Sequence, residues 1–161
     1  MAFGIMAAAV MVVAGCAVES DNPAETYGDK GVVLEKFSAS GCKTTIEMEV
    51  RGVGNNTPDE SVELTATERG SIYVAHNDVV LNCGMKDFDA SVEVDGNKIT
   101  VTEYGDASVE LRCICPFDFG YDIGPLQENV AYELTIVNKY NNYHPKRTIR
   151  FVYTPALKYK E

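Results

Sequence analysis

Apolar and polar side chains alternate along most of this chain. Across residues 109–126 (VELRCICPFDFGYDIGPL) the odd positions Val109, Leu111, Cys113, Cys115, Phe117, Phe119, Tyr121 and Ile123 are apolar or sulfur-bearing. The even positions include Glu110, Arg112, Asp118 and Asp122. A period of two is the mark of a strand with one buried face, and this stretch is expected to organise the rest. Shorter runs repeat the pattern: Val32, Val33, Leu34 and Phe37; Thr44, Ile46, Met48 and Val50; Val62, Leu64 and Ala66; Ile72, Val74 and His76; residues 79–83; Tyr132, Leu134 and Ile136; Ile149, Phe151 and Tyr153. Phe88, Ala90, Val92 and Val94 lead into Asp95-Gly96-Asn97, and Ile99 and Val101 follow. Asp-Gly between alternating runs predicts a tight hairpin. No helix is expected after the N-terminal segment. About eight or nine short strands with regular turn signals predict an all-β, antiparallel, immunoglobulin-like β-sandwich over residues 31–157, with 158–161 as a tail.

The first 15 residues do not fit that pattern. They are apolar, rich in small residues and free of charge, and they end at Cys16. So short an apolar stretch suits a signal segment rather than a spanning helix of ~20 residues. Val13-Ala14-Gly15-Cys16 resembles the lipobox of bacterial lipoproteins, although no Lys or Arg precedes the apolar run. The resemblance implies cleavage before Cys16 and acylation of its thiol. It also implies a bilayer anchor and a place in the bacterial cell envelope, most simply the outer membrane, facing periplasm or exterior. Residues 17–29 (AVESDNPAETYGD) are polar and hold Pro23 and Gly28, so residues 16–30 are expected to serve as lipidated cysteine and flexible tether.

Composition narrows the partners. The 161 residues carry a net charge of -10, all of it after residue 15. An acidic surface repels nucleic acid and anionic head groups, so neither is expected as a direct partner.

Besides Cys16, the chain has Cys42, Cys83, Cys113 and Cys115. An even number in an exported protein favours disulfides. Cys113 and Cys115 sit two apart on one strand face, ~6.6 Å from each other with parallel side chains, which is poor geometry for a mutual bridge. Each is therefore expected to pair with Cys42 or Cys83. Cys42–Cys115 with Cys83–Cys113 is preferred over the reverse. The alternative for Cys-x-Cys is a Zn²⁺, Cu⁺ or redox site, completed by another cysteine or a histidine.

Other chemistry is sparse. His76 and His144 are the only histidines, and neither accompanies a nucleophile motif. Asp118 and Asp122 share a strand face and could approach Asp87, Asp89 or Glu110, but without the spacing of a Ca²⁺ loop. A non-catalytic protein without a metal or cofactor is expected. Nine tyrosines are present. Tyr140, Tyr143 and His144 fall in the polar loop 138–146 (NKYNNYHPK), which makes that loop the candidate recognition tip.

Asn82-Cys83, Cys113-Ile114-Cys115-Pro116-Phe117-Asp118 and Tyr121-Asp122-Ile123-Gly124-Pro125-Leu126 together resemble a group of small lipoproteins from Bacteroidales gut bacteria. That group combines a lipobox, a mid-chain Asn-Cys, a C-x-C-x-[FY]-D and a Y-x-I-G-x-L. The likeness spans roughly residues 36 to 137. Its members often continue the Asn as Cys-Cys-Pro-Gly, whereas Cys83 is followed here by Gly84-Met85. The resemblance implies location and architecture, and no activity. The expectation is thus an envelope lipoprotein acting as a binding or structural module for glycans or envelope proteins, with a hydrolase inhibitor as a further alternative.

Overall fold

The structure, a computed structural model, describes residues 31–47, 58–142 and 145–161, with the backbone alone at Glu47. Its strands are β1 (Val33–Ala39), β2 (Ile46–Glu47), β3 (Ser61–Ala66), β4 (Ile72–Asn82), β5 (Lys86–Asp95), β6 (Lys98–Asp106), β7 (Cys113–Gly124), β8 (Ala131–Asn138), β9 (Lys146–Val152) and β10 (Lys158–Lys160). One sheet has the order β1-β7-β4-β3-β10, with β2 also on β7; the other has the order β5-β6-β8-β9. The all-β sandwich expected from the alternation is the architecture observed.

Alternation decides which faces meet. On β7 the odd residues Cys115, Phe117, Phe119, Tyr121 and Ile123 enter the core, against Ile99 and Val101 of β6 and Leu134 and Ile136 of β8. Phe88 of β5 crosses between the sheets and meets Phe117 and Phe119 edge-on, with ring centroids 5.0 and 5.1 Å away. β7 bonds to β1, β2 and β4, so the stretch singled out by its period is the hub of its sheet.

Three features depart from the sequence reading. The strand begins at Cys113 rather than near Val109, because residues 107–112 swing off the sheet and leave Val109 and Leu111 exposed. One pairing, β6 with β8, is parallel. The chain crosses to the other sheet as β7 between them, so β8 starts again in the direction of β6. Residues 158–161 are not a tail. Lys158–Lys160 form β10 on β3, and Glu161 exchanges both backbone hydrogen bonds with Val62. Tyr159 packs against the core there, which outweighs the local basic character. Met48 and Val50, expected to extend β2, lie outside the described residues.

Both disulfides terminate on β7. Cys42 joins Cys115, with Cα atoms 5.6 Å apart, and Cys83 joins Cys113, with Cα atoms 5.7 Å apart. This is the arrangement preferred from the sequence. Cys113 and Cys115 face the same way, so each receives a different partner strand or turn.

Denatured, unreduced protein should therefore show no free thiol at these four positions in a thiol titration. Replacing Cys83 and Cys113 together by serine should lower the free energy of urea unfolding by about 3–4 kcal/mol, the loop-closure entropy of a crosslink of this span.

Candidate functional site

The two ends of the sandwich differ. At one end β1 begins, β7 finishes and the β5–β6 hairpin turns; Gly31 and Val32 enter here. At the opposite, distal end β4, β6 and β8 finish and β7 begins. The distal end carries the turn 83–85, the segment 107–112 and the described loop residues 139–142 and 145. The described part of the candidate recognition loop therefore lies at the end away from Gly31 and Val32.

A buried ion network anchors that loop. Alternation aims His76 of β4 and Tyr121 of β7 inward from one sheet, and Glu103 of β6, Asn138 of β8 and Arg147 of β9 inward from the other. Glu60 joins from the residue before β3. His76 Nδ1 lies 3.0 Å from Glu103 Oε1, and its Nε2 lies 2.9 Å from Glu60 Oε1. Arg147 donates through Nε to Glu60 Oε1 at 2.8 Å and through Nη2 to the Glu60 carbonyl at 2.9 Å. Tyr121 Oη and Asn138 Nδ2 donate to Glu103, each at 3.2 Å, and Asn141 Nδ2 donates to Glu60 Oε2 at 2.8 Å. His76, Glu103, Asn138 and Asn141 are all buried.

Electrostatics fix the protonation. Burial alone would lower the His76 pKa, but hydrogen bonds to Glu103 and Glu60, reinforced by their charges, raise it to about 9. Burial would raise the Glu60 pKa, yet hydrogen bonds from His76 and Arg147 hold it below the ordinary value. Burial, then the Glu103 charge, pushes the Tyr121 hydroxyl well up, so it stays a neutral donor. Two cations thus offset two carboxylates in the interior. No described buried side-chain nitrogen or oxygen lacks a partner. With its buried polar atoms all hydrogen-bonded, the network holds its members in fixed positions.

The loop hangs from this network. Asn138 Oδ1 accepts the backbone N–H groups of Tyr140 and Asn141, both at 3.0 Å. Asn138, Asn141 and Arg147 thus tie both flanks of the loop to buried carboxylates. Tyr140 is left 38% exposed.

Beside it, three consecutive residues brace segment 107–112. The Asn82 side chain pairs with Leu111 like a neighbouring strand: Nδ2 donates to the Leu111 carbonyl at 2.7 Å, and Oδ1 accepts from the Leu111 N–H at 3.0 Å. Cys83 bridges to Cys113. Gly84 lies so close to the Val109 carbonyl that a Cβ there would overlap it. The braced segment holds out Val109 and Leu111, 51% and 45% exposed. Val109, Tyr140, Ala107, Asn82 and Met85 line one shallow depression of about 210 Å³.

The other sequence-singled residues fall as follows. Tyr143, His144 and Cys16 lie outside the described residues. Cys113 and Cys115 are in bridges, whereas a metal or redox site built on them needs thiolates. Asp118 pairs with Lys43 at 2.9 Å and Asp122 with Lys36 at 2.6 Å, so the two are neutralised separately. Among the described residues no group of three or more His, Cys, Asp or Glu is arranged to hold a metal ion. Sequence reasoning missed Glu60, Glu103, Asn138, Asn141 and Arg147. A signal was present for three of them. Glu103 continues the inward parity of Ile99 and Val101, Asn138 that of Leu134 and Ile136, and Arg147 that of Ile149 and Phe151.

No protein-family model matches this chain, and no curated protein or solved structure is detectably similar to it.

Stability should follow the network. The folded His76 pKa is raised, so its contribution is complete below the unfolded value of 6.5 and is lost as pH rises through about 9. Glu60 is lowered, so its contribution is complete above 4.5 and is lost as pH falls through the folded value. The urea midpoint should peak between these limits. His76→Gln should cost about 3–5 kcal/mol by leaving two buried carboxylates short of a cation. The loss relative to wild type should shrink between pH 7 and 10 in the same urea titration.

Proposed function

We propose that this chain is a cell-envelope lipoprotein, anchored by acyl chains on Cys16, whose sandwich is a non-catalytic module that binds a protein partner with its distal tip. The observation that carries the reading is the bracing of exposed apolar side chains. Val109 and Leu111 are held by an amide clamp, a disulfide and a close glycine approach, and Tyr140 by a buried ion network. A chain gains nothing for its own folding by fixing apolar groups in water. Fixing them removes ordering entropy from an encounter with a partner.

The aliphatic character of Val109 and Leu111 favours protein over sugar at this tip, because glycans stack on ring faces and bond through hydroxyls. The lipobox-like Val13-Ala14-Gly15-Cys16 supports the anchor. Each acyl CH₂ in the bilayer contributes ~0.8 kcal/mol, so multiple chains hold firmly. Residues 17–31 span at most ~50 Å fully extended, enough to lift the domain clear of head groups. The tip is the end of the domain farther from the tether's point of attachment at Gly31. A hydrolase inhibitor would use the same rigid segment 107–112, and inhibition across a hydrolase panel distinguishes that case.

Two measurements test the proposal. Cys16→Ser should move the protein from the membrane fraction to the soluble fraction of a bacterial host; unchanged membrane retention argues against the lipid. A photo-crosslinking residue at position 140 should give a discrete adduct with an envelope protein. Val109→Ser should remove the adduct, and a probe at the exposed Ser91 should give none. Equal adducts from positions 140 and 91 would overturn the tip assignment.

A further inference from the structure

An exposed sheet edge offers unpaired N–H and carbonyl groups to any approaching strand, and sandwiches commonly blunt such edges with bulges or very short strands. Among the described residues the six-stranded sheet follows that rule. β1 is irregular between Glu35 and Ser38, with Lys36 at φ 55, and β10 has 3 residues. The four-stranded sheet does not. β5 keeps unbroken register with β6 over residues 89–95, and β9 keeps it with β8 over residues 146–152.

The phase of the hydrogen bonds tells which groups these two edges leave open. The Asn138 N–H donates to the Pro145 carbonyl and the Tyr153 N–H to the Val130 carbonyl, so odd residues of β9 bond to β8. Residues 146, 148, 150 and 152 turn their backbone groups outward. On the other side, the Glu133 N–H donates to the Asn97 carbonyl, so odd residues of β6 serve β8 and even ones serve β5. Ala90, Val92 and Val94 are therefore the outward residues of β5. The Asp89 side chain accepts the Ala90 N–H at 2.8 Å. The other outward groups have no partner among the described residues.

The two edges differ in charge. Asp89, Glu93 and Asp95 stand on the outer face of β5, and Lys146 and Arg150 on that of β9. Val94 shares the inward parity of Ala90 and Val92, yet it is 42% exposed because no strand lies beyond it. Since β6 and β8 are parallel, β5 and β9 run in the same direction.

We infer that copies of this chain join head to tail, β5 of one copy adding as a parallel strand to β9 of the next. A copy that continues the sheet with its core on the same side arrives in that orientation. Setting Asp89 beside Lys146 puts Ser91 beside Thr148 and Glu93 beside Arg150 on the outer face. It also puts Val92 beside Ile149 and covers Val94 with Phe151 on the inner face. The open groups interlock in this register: the Thr148 and Arg150 N–H groups donate to the Ala90 and Val92 carbonyls, and the Val92 and Val94 N–H groups donate to the Thr148 and Arg150 carbonyls. Shifting two residues, so that Arg150 meets Asp95, leaves Lys146 opposite Ser91 and loses an ion pair. Like edges repel, because β9 on β9 gathers the cations of both copies and β5 on β5 gathers their carboxylates. Two unlike edges on one molecule make the contact heterologous, and its repetition builds a row or a closed ring. Neither edge carries Val109, Leu111 or Tyr140, so this contact and the partner proposed for the tip fail separately.

One strand pair is a small interface, so the test traps it covalently. Two forms of the full chain carrying Cys16→Ser are made, one with Ser91→Cys and one with Thr148→Cys, both at exposed positions. A short bismaleimide should join the mixed forms roughly tenfold faster than either form alone, because association turns a collision into an intramolecular step. A chain bearing both cysteines should give a ladder of oligomers on a denaturing gel. Adding Arg150→Glu to the Thr148→Cys form should suppress the mixed dimer, and adding Glu93→Arg to the other form should restore it. That rescue separates charge pairing from misfolding. A photo-crosslinking residue at position 91 should likewise capture only a second copy of this chain, an adduct distinct from the envelope protein caught at position 140. Mixed crosslinking no faster than that of each form alone, or unaffected by Arg150→Glu, would overturn the inference.

Discussion

An imidazolium held between two buried carboxylates joins the sheets of this sandwich. His76 belongs to one sheet and Glu103 to the other, while Glu60 ties the pair to Arg147 and to the loop beyond β8. Burying such charges gains little net stability over a well-packed apolar core. Removing one member is costly, because the others are left without counter-charge in a medium that solvates poorly. The network therefore acts chiefly on specificity. In this facing of the two sheets and this path of residues 138–141, every described buried side-chain donor and acceptor is satisfied.

The same logic separates the two ends. Each is built by fixing loops to one another rather than to the core alone. At the distal end the clamp is side chain to backbone, through Asn82 and Asn138. At the other end it is backbone to backbone, through Gly70, Asn97 and Tyr153. The first leaves aliphatic groups in solvent and the second leaves amides and charges at the rim of a cleft. Two loop clusters on one rigid frame can thus present unlike chemistries without disturbing each other, because the intervening core is close-packed.

Much of the frame was legible from alternation. The period of two assigned Phe117, Phe119, Tyr121 and Ile123 to the interior, and Asp95-Gly96 marked the hairpin between β5 and β6. The poor geometry of a Cys113–Cys115 bridge sent each sulfur elsewhere. Alternation failed at Val109 and Leu111, where the pattern continues but the sheet does not: the Asn82 amide takes the place of a neighbouring strand at Leu111, and parity says nothing about such a substitute. The ion network escaped notice for a related reason. Glu103, Asn138 and Arg147 have inward parity, but only the packing of two distant sheets reveals that their charges compensate. Asn82-Cys83, noted as part of a resemblance, turns out to have a local physical role in bracing segment 107–112.

The placement of the two bridges has a mechanical consequence. β1 is an edge strand bound to β7 by non-covalent contacts alone, and a pull on the N-terminal side would peel it residue by residue. Peeling stops at Cys42, where the chain is welded to Cys115. Load then passes two residues along β7 to Cys113 and across the second weld to Cys83, beneath Val109. An unbroken covalent path runs from the leading segment to the base of the distal tip. Tension between the two ends is borne by bonds that shear forces do not break, and the sandwich around that path is spared the strain.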